Sequence, residues 1–338
     1  AKKMREQDED LFDFLVGDRI CEVDLADLGH ESKAADNATV ITRLTGMGAN
    51  RLVVCFDVDN AAISEAQFKR IAFDIYPRHL LGAVPILFAS ELVDDVLADR
   101  RGWTALTNSF LHPAMESFLY NAENRLREYR TKNPLLIFRN DGNASRVAKT
   151  IALKTYSSGP RGGMEGVKTF SKQYNLSDVM TMDVGGTTTD IGHLVDLKLN
   201  EQRHGKMEGV PISFGLCEIN SQGVGGSSIL SVKDGDIQVG PESVGAVPGP
   251  ASFGRGGKSS TMTDVNLLLG VLDPATYFGG GLKLDIERGR AAIDENVASP
   301  LGISVDEALH KLSNAYEQKI ADGMKGFGDV AKDTVLLA

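Results

Sequence analysis

The stretch Asp183-Val-Gly-Gly-Thr-Thr-Thr-Asp190-Ile-Gly192 lies where two short apolar runs meet, 179–184 and 191–195, and its reading decides the fold. Both runs have the length and residue types of buried strands, so Gly185, Gly186, Thr187 and Thr188 fall on the turn between them. Glycines let backbone N–H groups approach phosphate oxygens closely, and threonine hydroxyls add neutral donors. A carboxylate at a strand end can hold Mg²⁺ through water, which is the position of Asp183. Asp190 is either a second carboxylate near the metal or attacking group, or a side chain that closes the turn. The plainer alternative is a hairpin whose Gly-Gly supplies positive φ and whose threonines reflect β propensity. On this stretch alone both readings stand.

Around that turn the chain is of ordinary globular composition. Its 338 residues suffice for about two domains, with 42% hydrophobic and 24% charged residues. A net charge of -10, spread along the chain, argues against nucleic acid or an anionic membrane as principal partner. Glycine turns and helix ends can still bind a nucleotide, because their local potential does not depend on net charge. Cys21, Cys55 and Cys217 form no CxxC pair, so neither a disulfide framework nor a thiolate zinc site is expected, and a reducing cytoplasm fits. The most apolar stretch, Leu80 to Ala89, contains a glycine and a proline and would span about half of a bilayer-crossing helix. No membrane segment or signal peptide is expected, although the chain opens on Ala1 rather than methionine.

Upstream, helical spacing over 36–48 precedes the β-branched run 52–56; a helix from a Ser64 cap through Phe73 then leads to a strand over 84–89. This predicts an αβαβ arrangement with parallel pairing. A long helix is expected from Leu106 to Tyr129, burying Leu111, Met115, Phe118, Leu119, Ala122, Leu126 and Tyr129, with Pro113 near its first turn or at a kink. The charges from Glu123 to Arg130 form its solvated face. A strand over 135–138 ends in the polar loop 139–143, and a turn over 157–163 leads into a helix ending near Tyr174. After Asp178 come the runs 179–184, 191–195 and 210–214, a strand meander. Residues 223–257 are rich in Gly, Pro and Ser and read as loops. One helix begins near Asp285, and Ser304 with Glu307 predicts a capping box for the last.

The pattern DxGGTxxD resembles the second phosphate motif of the actin-like ATPase superfamily. SSGPRGGMEG from Ser157, GVGGSSI from Gly223, VGPESVGAVPGPASFGRGG from Val239, TMTDVNLLLGVL from Thr261, FGGGLKLD from Phe278 and PLGISVDEAL from Pro300 narrow the resemblance. In this order they are similar to the hydantoinase/oxoprolinase family, A-type subunit. The resemblance is close from about Ala89 onward and looser before it. It implies an α/β fold with actin-like ATPase (ribonuclease H-like) lobes, mixed sheet flanked by helices, incomplete in this chain. Residues 1–95 would be the remainder of an N-terminal domain, and 96–338 an A-type domain bearing the phosphate turn.

The activity implied is ATP- and Mg²⁺-dependent activation of a carbonyl oxygen by phosphorylation, leading to hydrolysis of a cyclic amide of the hydantoin or 5-oxoproline type. The alternative is the ATP-using subunit of an acetone or acetophenone-type ketone carboxylase; a second is a non-catalytic nucleotide-binding scaffold. A B-type partner subunit is implied, with self-association left open. Residue by residue, Asp183 resembles the Mg²⁺-water ligand, and Gly185, Gly186, Thr187 and Thr188 the phosphate cradle. Gly225, Gly226 and Ser227 would form a loop facing nucleotide or substrate, or a tight turn. Arg255 would stabilise phosphate charge or lie solvated. Asp264 is read as a helix cap in preference to a site residue. His193 and His204 belong to no recognisable ligand set.

The family's first DxGGTFTD turn and its adenosine-binding FGGAGP turn have no counterpart here, so the chain is expected to be a central fragment that binds ATP weakly or not at all. Val247 stands where the family usually has an acid, Ser252 where it has cysteine, and 139–143 read RNDGN instead of a sequence close to QSNGG. These departures put the substrate in doubt more than the fold.

Overall fold

Helical and strand periods alternate before residue 90, whereas short β runs dominate after residue 178, and one stretch of the later runs, 201–217, packs with the earlier part of the chain. The computed structural model describes residues 1–23, 34–77, 79, 84–328 and 334–337. Residues 80–83 of the apolar stretch and Ala338 lie outside the described residues. In chain order the elements begin with α1 (Lys2–Gln7), α2 (Glu9–Leu15), α3 (Ala34–Gly46), β1 (Leu52–Val54), α4 (Ala61–Ile75), β2 (Ile86–Phe88), α5 (Ala89–Leu92) and α6 (Ala98–Glu128). There follow β3 (Leu136–Phe138), β4 (Ala144–Arg146), α7 (Ser158–Tyr174), β5 (Val179–Val184), β6 (Thr189–Val195), β7 (Lys198–Leu199), β8 (Glu201–Gln202), β9 (Lys206–Met207), β10 (Val210–Pro211) and β11 (Leu216–Cys217). The last are β12 (Ile219–Gln222), β13 (Ser228–Lys233), β14 (Asp236–Ser243), β15 (Ser260–Thr261), α8 (Met262–Leu268), α9 (Ile286–Ile293), α10 (Ser299–Leu301), α11 (Val305–Lys325) and β16 (Thr334–Leu337). They form two compact units, 1–162 with 201–217, and 163–200 with 218–338, so the family-based boundary at 95/96 lies within the first.

In the first unit β1 and β2 pair in parallel, Leu52 opposite Ile86 and Val54 opposite Phe88, as the αβαβ reading predicts. Ile41, Leu52, Phe68, Ala72 and Phe88 fill the core between this pair and its helices. Ser64 does not cap α4: the helix starts earlier, and the Ser64 N–H already donates to the Asn60 carbonyl. Helix α6 likewise starts before Leu106, and Pro113 lies exposed inside it without ending it. Its buried part is the first three turns, around a fully enclosed Trp103. Of the stripe expected farther along only Leu119 is buried, while Phe118 and Tyr129 are exposed. Leu111 packs against the cluster of Leu153, Met207, Ile212 and Leu216, while the rest of the expected stripe is only partly covered among the described residues. β10 stops at Pro211, short of the run expected through Phe214.

In the second unit the main sheet has the order β12-β6-β5-β16, with β7 also paired to β6. β5, β6 and β12 are antiparallel neighbours, and β16 runs parallel to β5. Alternation along the strands sends Val179 and Leu194 to one face, against Val167 of α7. Met180 and Ile191 point to the other, against Leu312, Tyr316 and Ile320 of α11. At Gly192 the space a Cβ would take is filled by the end of the Met164 side chain from α7, which packs directly on the strand. A mixed sheet covered by helices on both faces is the architecture expected from the resemblance.

Three local expectations change. Residues 158–163, expected as a turn, are the opening of α7, with Pro160 in the first turn where its missing N–H breaks no helical bond. The 223–257 region, expected as loops, contains the hairpin β13–β14. Ser304 accepts from the Glu307 N–H at 3.1 Å, but the Glu307 carboxylate pairs with Lys311, so the box is only half formed. A complete capping box occurs instead at Thr261 and Asp264.

Candidate functional site

β5 and β6 carry the quoted stretch as a hairpin, and its turn closes through the Gly185 N–H, which donates to the Thr188 carbonyl at 2.9 Å. Neither Gly185 nor Gly186 has positive φ, so the plain hairpin reading does not explain them. Space does explain Gly185, because a Cβ would lie 3.0 Å from the Thr188 carbonyl. At Gly186 a Cβ would come no nearer than 3.9 Å to Ser227 Oγ, leaving an open concavity. Among the described residues the N–H groups of Gly186, Thr187 and Thr188 have no acceptor. Gly185, Gly186 and Thr187 are exposed and Thr188 half-buried.

Asp183 and Asp190 are direct cross-strand partners, so both carboxylates leave the same face of the sheet. Like charges in that relation repel unless a cation or donor intervenes. Asp190 Oδ1 is buried and has no hydrogen-bond partner among the described residues. An orphaned carboxylate oxygen opposite a second carboxylate, beside unpaired N–H groups, fits Mg²⁺ held between carboxylates and phosphate oxygens.

The second glycine turn lies behind the first. Gly226 N–H donates to the Gly185 carbonyl at 2.9 Å, and Ser227 N–H to the Gly186 carbonyl at 2.6 Å. A Cβ on Gly225 would stand 2.6 Å from the Gly186 carbonyl carbon and 2.7 Å from the Gly185 oxygen. Gly225 is therefore needed for backbone-to-backbone contact. The Gly225 N–H is also used, by Ser228 Oγ at 2.8 Å. These three residues thus spend their N–H groups on the protein and not toward a ligand.

Around both turns stand residues the sequence reading did not single out. The fully buried Thr189 donates to the Val224 carbonyl at 2.6 Å. Burial raises the Tyr316 phenol above its ordinary pKa, and the Thr189 hydroxyl pulls it partly back. Ser243 Oγ bonds the Ser227 carbonyl at 3.1 Å and lies 3.5 Å from Thr187 Oγ1. Asp264, which the sequence did single out as a cap, is fully buried and accepts from the N–H groups of Ser252 and Thr261 and from the Thr261 hydroxyl, as the inner partner of a capping box whose N-cap is Thr261. Thr263 and Ser243 both lie inside motifs quoted above, TMTDVNLLLGVL and VGPESVGAVPGPASFGRGG, which mark the segments without pointing to these side chains.

Arg255 sits exposed between the left-handed Gly254 and Gly256 and, among the described residues, has no hydrogen bond or ion pair. His193 packs on the Phe327 ring, centroids 6.4 Å apart, and no group of three or more metal-ligating side chains occurs among the described residues.

Residues 101–328 match the family model described as hydantoinase/oxoprolinase. The chain belongs to the hydantoinase/oxoprolinase family. It is 29% identical over 295 residues to the acetophenone carboxylase gamma subunit of Aromatoleum aromaticum, covering 86% of this chain and 40% of that protein. It is 30% identical over 249 residues to the caprolactamase subunit alpha of Pseudomonas jessenii, covering 72% and 36% respectively. In fold it is similar to nucleotide-free acetone carboxylase, with TM-score 0.76 and 22% identity over 88% of this chain and 42% of that one. ATP-dependent caprolactamase from Pseudomonas jessenii gives 0.68, with 24% identity over 90% and 45%. The chain thus spans about two fifths of the length of these family members. Among its described residues no helix is long and apolar enough to cross a membrane.

Proposed function

We propose that this chain supplies the phosphate-binding wall of an ATP-dependent enzyme that activates a carbonyl oxygen of a cyclic amide by phosphorylation, so that the ring can be hydrolysed. The observation that carries the reading is the pairing of groups unsatisfied among the described residues on one turn: the N–H donors of Gly186, Thr187 and Thr188 beside the Asp183–Asp190 carboxylate pair with its orphaned oxygen. Asp183 and Asp190 would hold Mg²⁺, and the three N–H groups with the Thr187 and Thr188 hydroxyls would orient terminal phosphate oxygens. Bound Mg²⁺ would neutralise charge on those oxygens, which is most of what phosphoryl transfer needs beyond positioning. Gly225, Gly226 and Ser227 serve as backing for the turn, and Arg255 would have to swing inward to reach phosphate. Family membership supports ATP as the nucleotide and a B-type subunit as partner. Cys21, Cys55 and Cys217, with no CxxC pair among them, suit a reducing, cytoplasmic setting.

A second reading, activation of a ketone for carboxylation, is favoured by the alignment to a carboxylase subunit over 86% of the chain. The two separate in one assay, ATP hydrolysis by the intact protein with its partner subunit in the presence of five- to seven-membered lactams or of small ketones plus bicarbonate. Lactam-stimulated turnover is expected. In that assay Asp183→Ala should lower turnover by about a thousandfold while the unfolding midpoint stays put, because Asp183 is exposed at a strand end. Undiminished turnover would remove Asp183 from the mechanism. Bound nucleotide without stimulation by either substrate class would instead indicate a scaffold.

A further inference from the structure

We propose that Thr263, at the start of α8, is a positioning residue that aims the phosphate-binding N–H groups through a relay of two peptide planes; the inference rests on the phosphate reading above. Thr263 grips the Gly226 carbonyl twice, through its N–H and through its hydroxyl, each at 2.8 Å. A trans peptide holds its C=O and N–H in opposite directions. Fixing the Gly226 oxygen therefore fixes the other end of the same peptide, the Ser227 N–H, which donates to the Gly186 carbonyl at 2.6 Å. That carbonyl belongs to the peptide whose N–H is that of Thr187. With its oxygen held inward, the Thr187 N–H must point outward, where it has no acceptor among the described residues.

A neighbouring pair of peptides repeats the logic. Gly226 N–H holds the Gly185 carbonyl at 2.9 Å, which turns the Gly186 N–H outward as well. The Ser227 carbonyl is itself taken by the Val244 N–H at 3.0 Å and by Ser243 Oγ, so the second turn is clamped on both its carbonyls. Thr263 is only 6% exposed, and α8 is fixed by its capping box, with Asp264 also binding the Ser252 N–H. The anchor is therefore rigid, and two adjacent N–H groups emerge side by side, the arrangement that binds an anion. The Thr263 hydroxyl touches neither phosphate nor metal in this scheme. It acts through backbone alone.

The test compares the intact protein with Thr263→Val, which keeps shape but removes the hydroxyl, and Thr263→Ser, which restores it. Three quantities are read: Mg-ADP affinity by calorimetry, amide exchange over residues 183–190 and 223–230 by mass spectrometry, and the thermal midpoint. Thr263→Val should weaken Mg-ADP binding about fivefold, the worth of one hydrogen bond, and speed exchange in 223–230, and Thr263→Ser should reverse both. Faster exchange with unchanged affinity in the Val variant would overturn the aiming role. So would a loss of affinity that Ser fails to rescue, or exchange that does not change. A wild-type protein that binds no Mg-ADP would instead overturn the phosphate reading, an outcome distinguished by its appearance before any substitution is made.

Discussion

The turns 185–188 and 225–228 look alike as sequence, Gly-Gly-Thr-Thr and Gly-Gly-Ser-Ser, yet they do opposite things with their backbone. Among the described residues the first leaves three N–H groups without acceptors, and the second has donated its N–H groups at Gly225, Gly226 and Ser227 to a neighbouring hydroxyl or carbonyl. The first is exposed at Gly185 to Thr187; the second is buried at Gly225, Ser227 and Ser228. A glycine pair therefore signals close approach of something to backbone, without saying whether that something is a ligand or another turn. What separates the cases is which donors remain unpaid for by protein acceptors, and that is a property of the packed molecule.

Substitution by alanine should break the likeness cleanly. Gly225→Ala forces a Cβ into the backbone of residues 185 and 186 and should destabilise the second unit by about 3 kcal/mol, read from denaturant midpoints. Gly186→Ala has open space and should cost about 1 kcal/mol or less, while reducing nucleotide affinity by filling the concavity. Equal stability losses at the two sites would erase the distinction. A smaller effect is expected at Thr189, whose buried hydroxyl ties β6 to the Val224 carbonyl: Thr189→Val should lower stability by about 1–2 kcal/mol in equilibrium unfolding. The smallest belongs to Arg255→Ala, which should leave the midpoint within about 0.5 kcal/mol of wild type, since the side chain is exposed and has no partner among the described residues. If turnover falls while stability holds, Arg255 reaches phosphate only in the closed, substrate-bound state.

Much of the molecule was legible beforehand. The parallel β1–β2 pair, the β5–β6 hairpin, the capping role of Asp264 and a helix starting near Asp285 follow from apolar periodicity and short-range side-chain chemistry, which act within a few residues. The errors share a cause. Ser64, the 157–163 turn and the stripe along α6 were read from local propensity, and each was overridden by where a helix found its packing partner. In the site, Asp183 and the glycines were visible because their residue types are restrictive, whereas Thr189, Ser243 and Tyr316 are ordinary residues made relevant by neighbours far along the chain.

The sequence by itself determined the β5–β6 turn and the family, because glycine, threonine and aspartate at that spacing, followed by the ordered motifs to residue 309, leave little freedom. Only the tertiary structure decided which of two similar turns offers its N–H groups outward. That choice depends on contacts about 40 residues apart, between the Gly185 and Gly186 carbonyls and the N–H groups of Gly226 and Ser227, and on the grip of Thr263 farther still. Peptide planarity then converts those inward bonds into outward donors, so the same stretch that announced the fold owes its function to residues well beyond it.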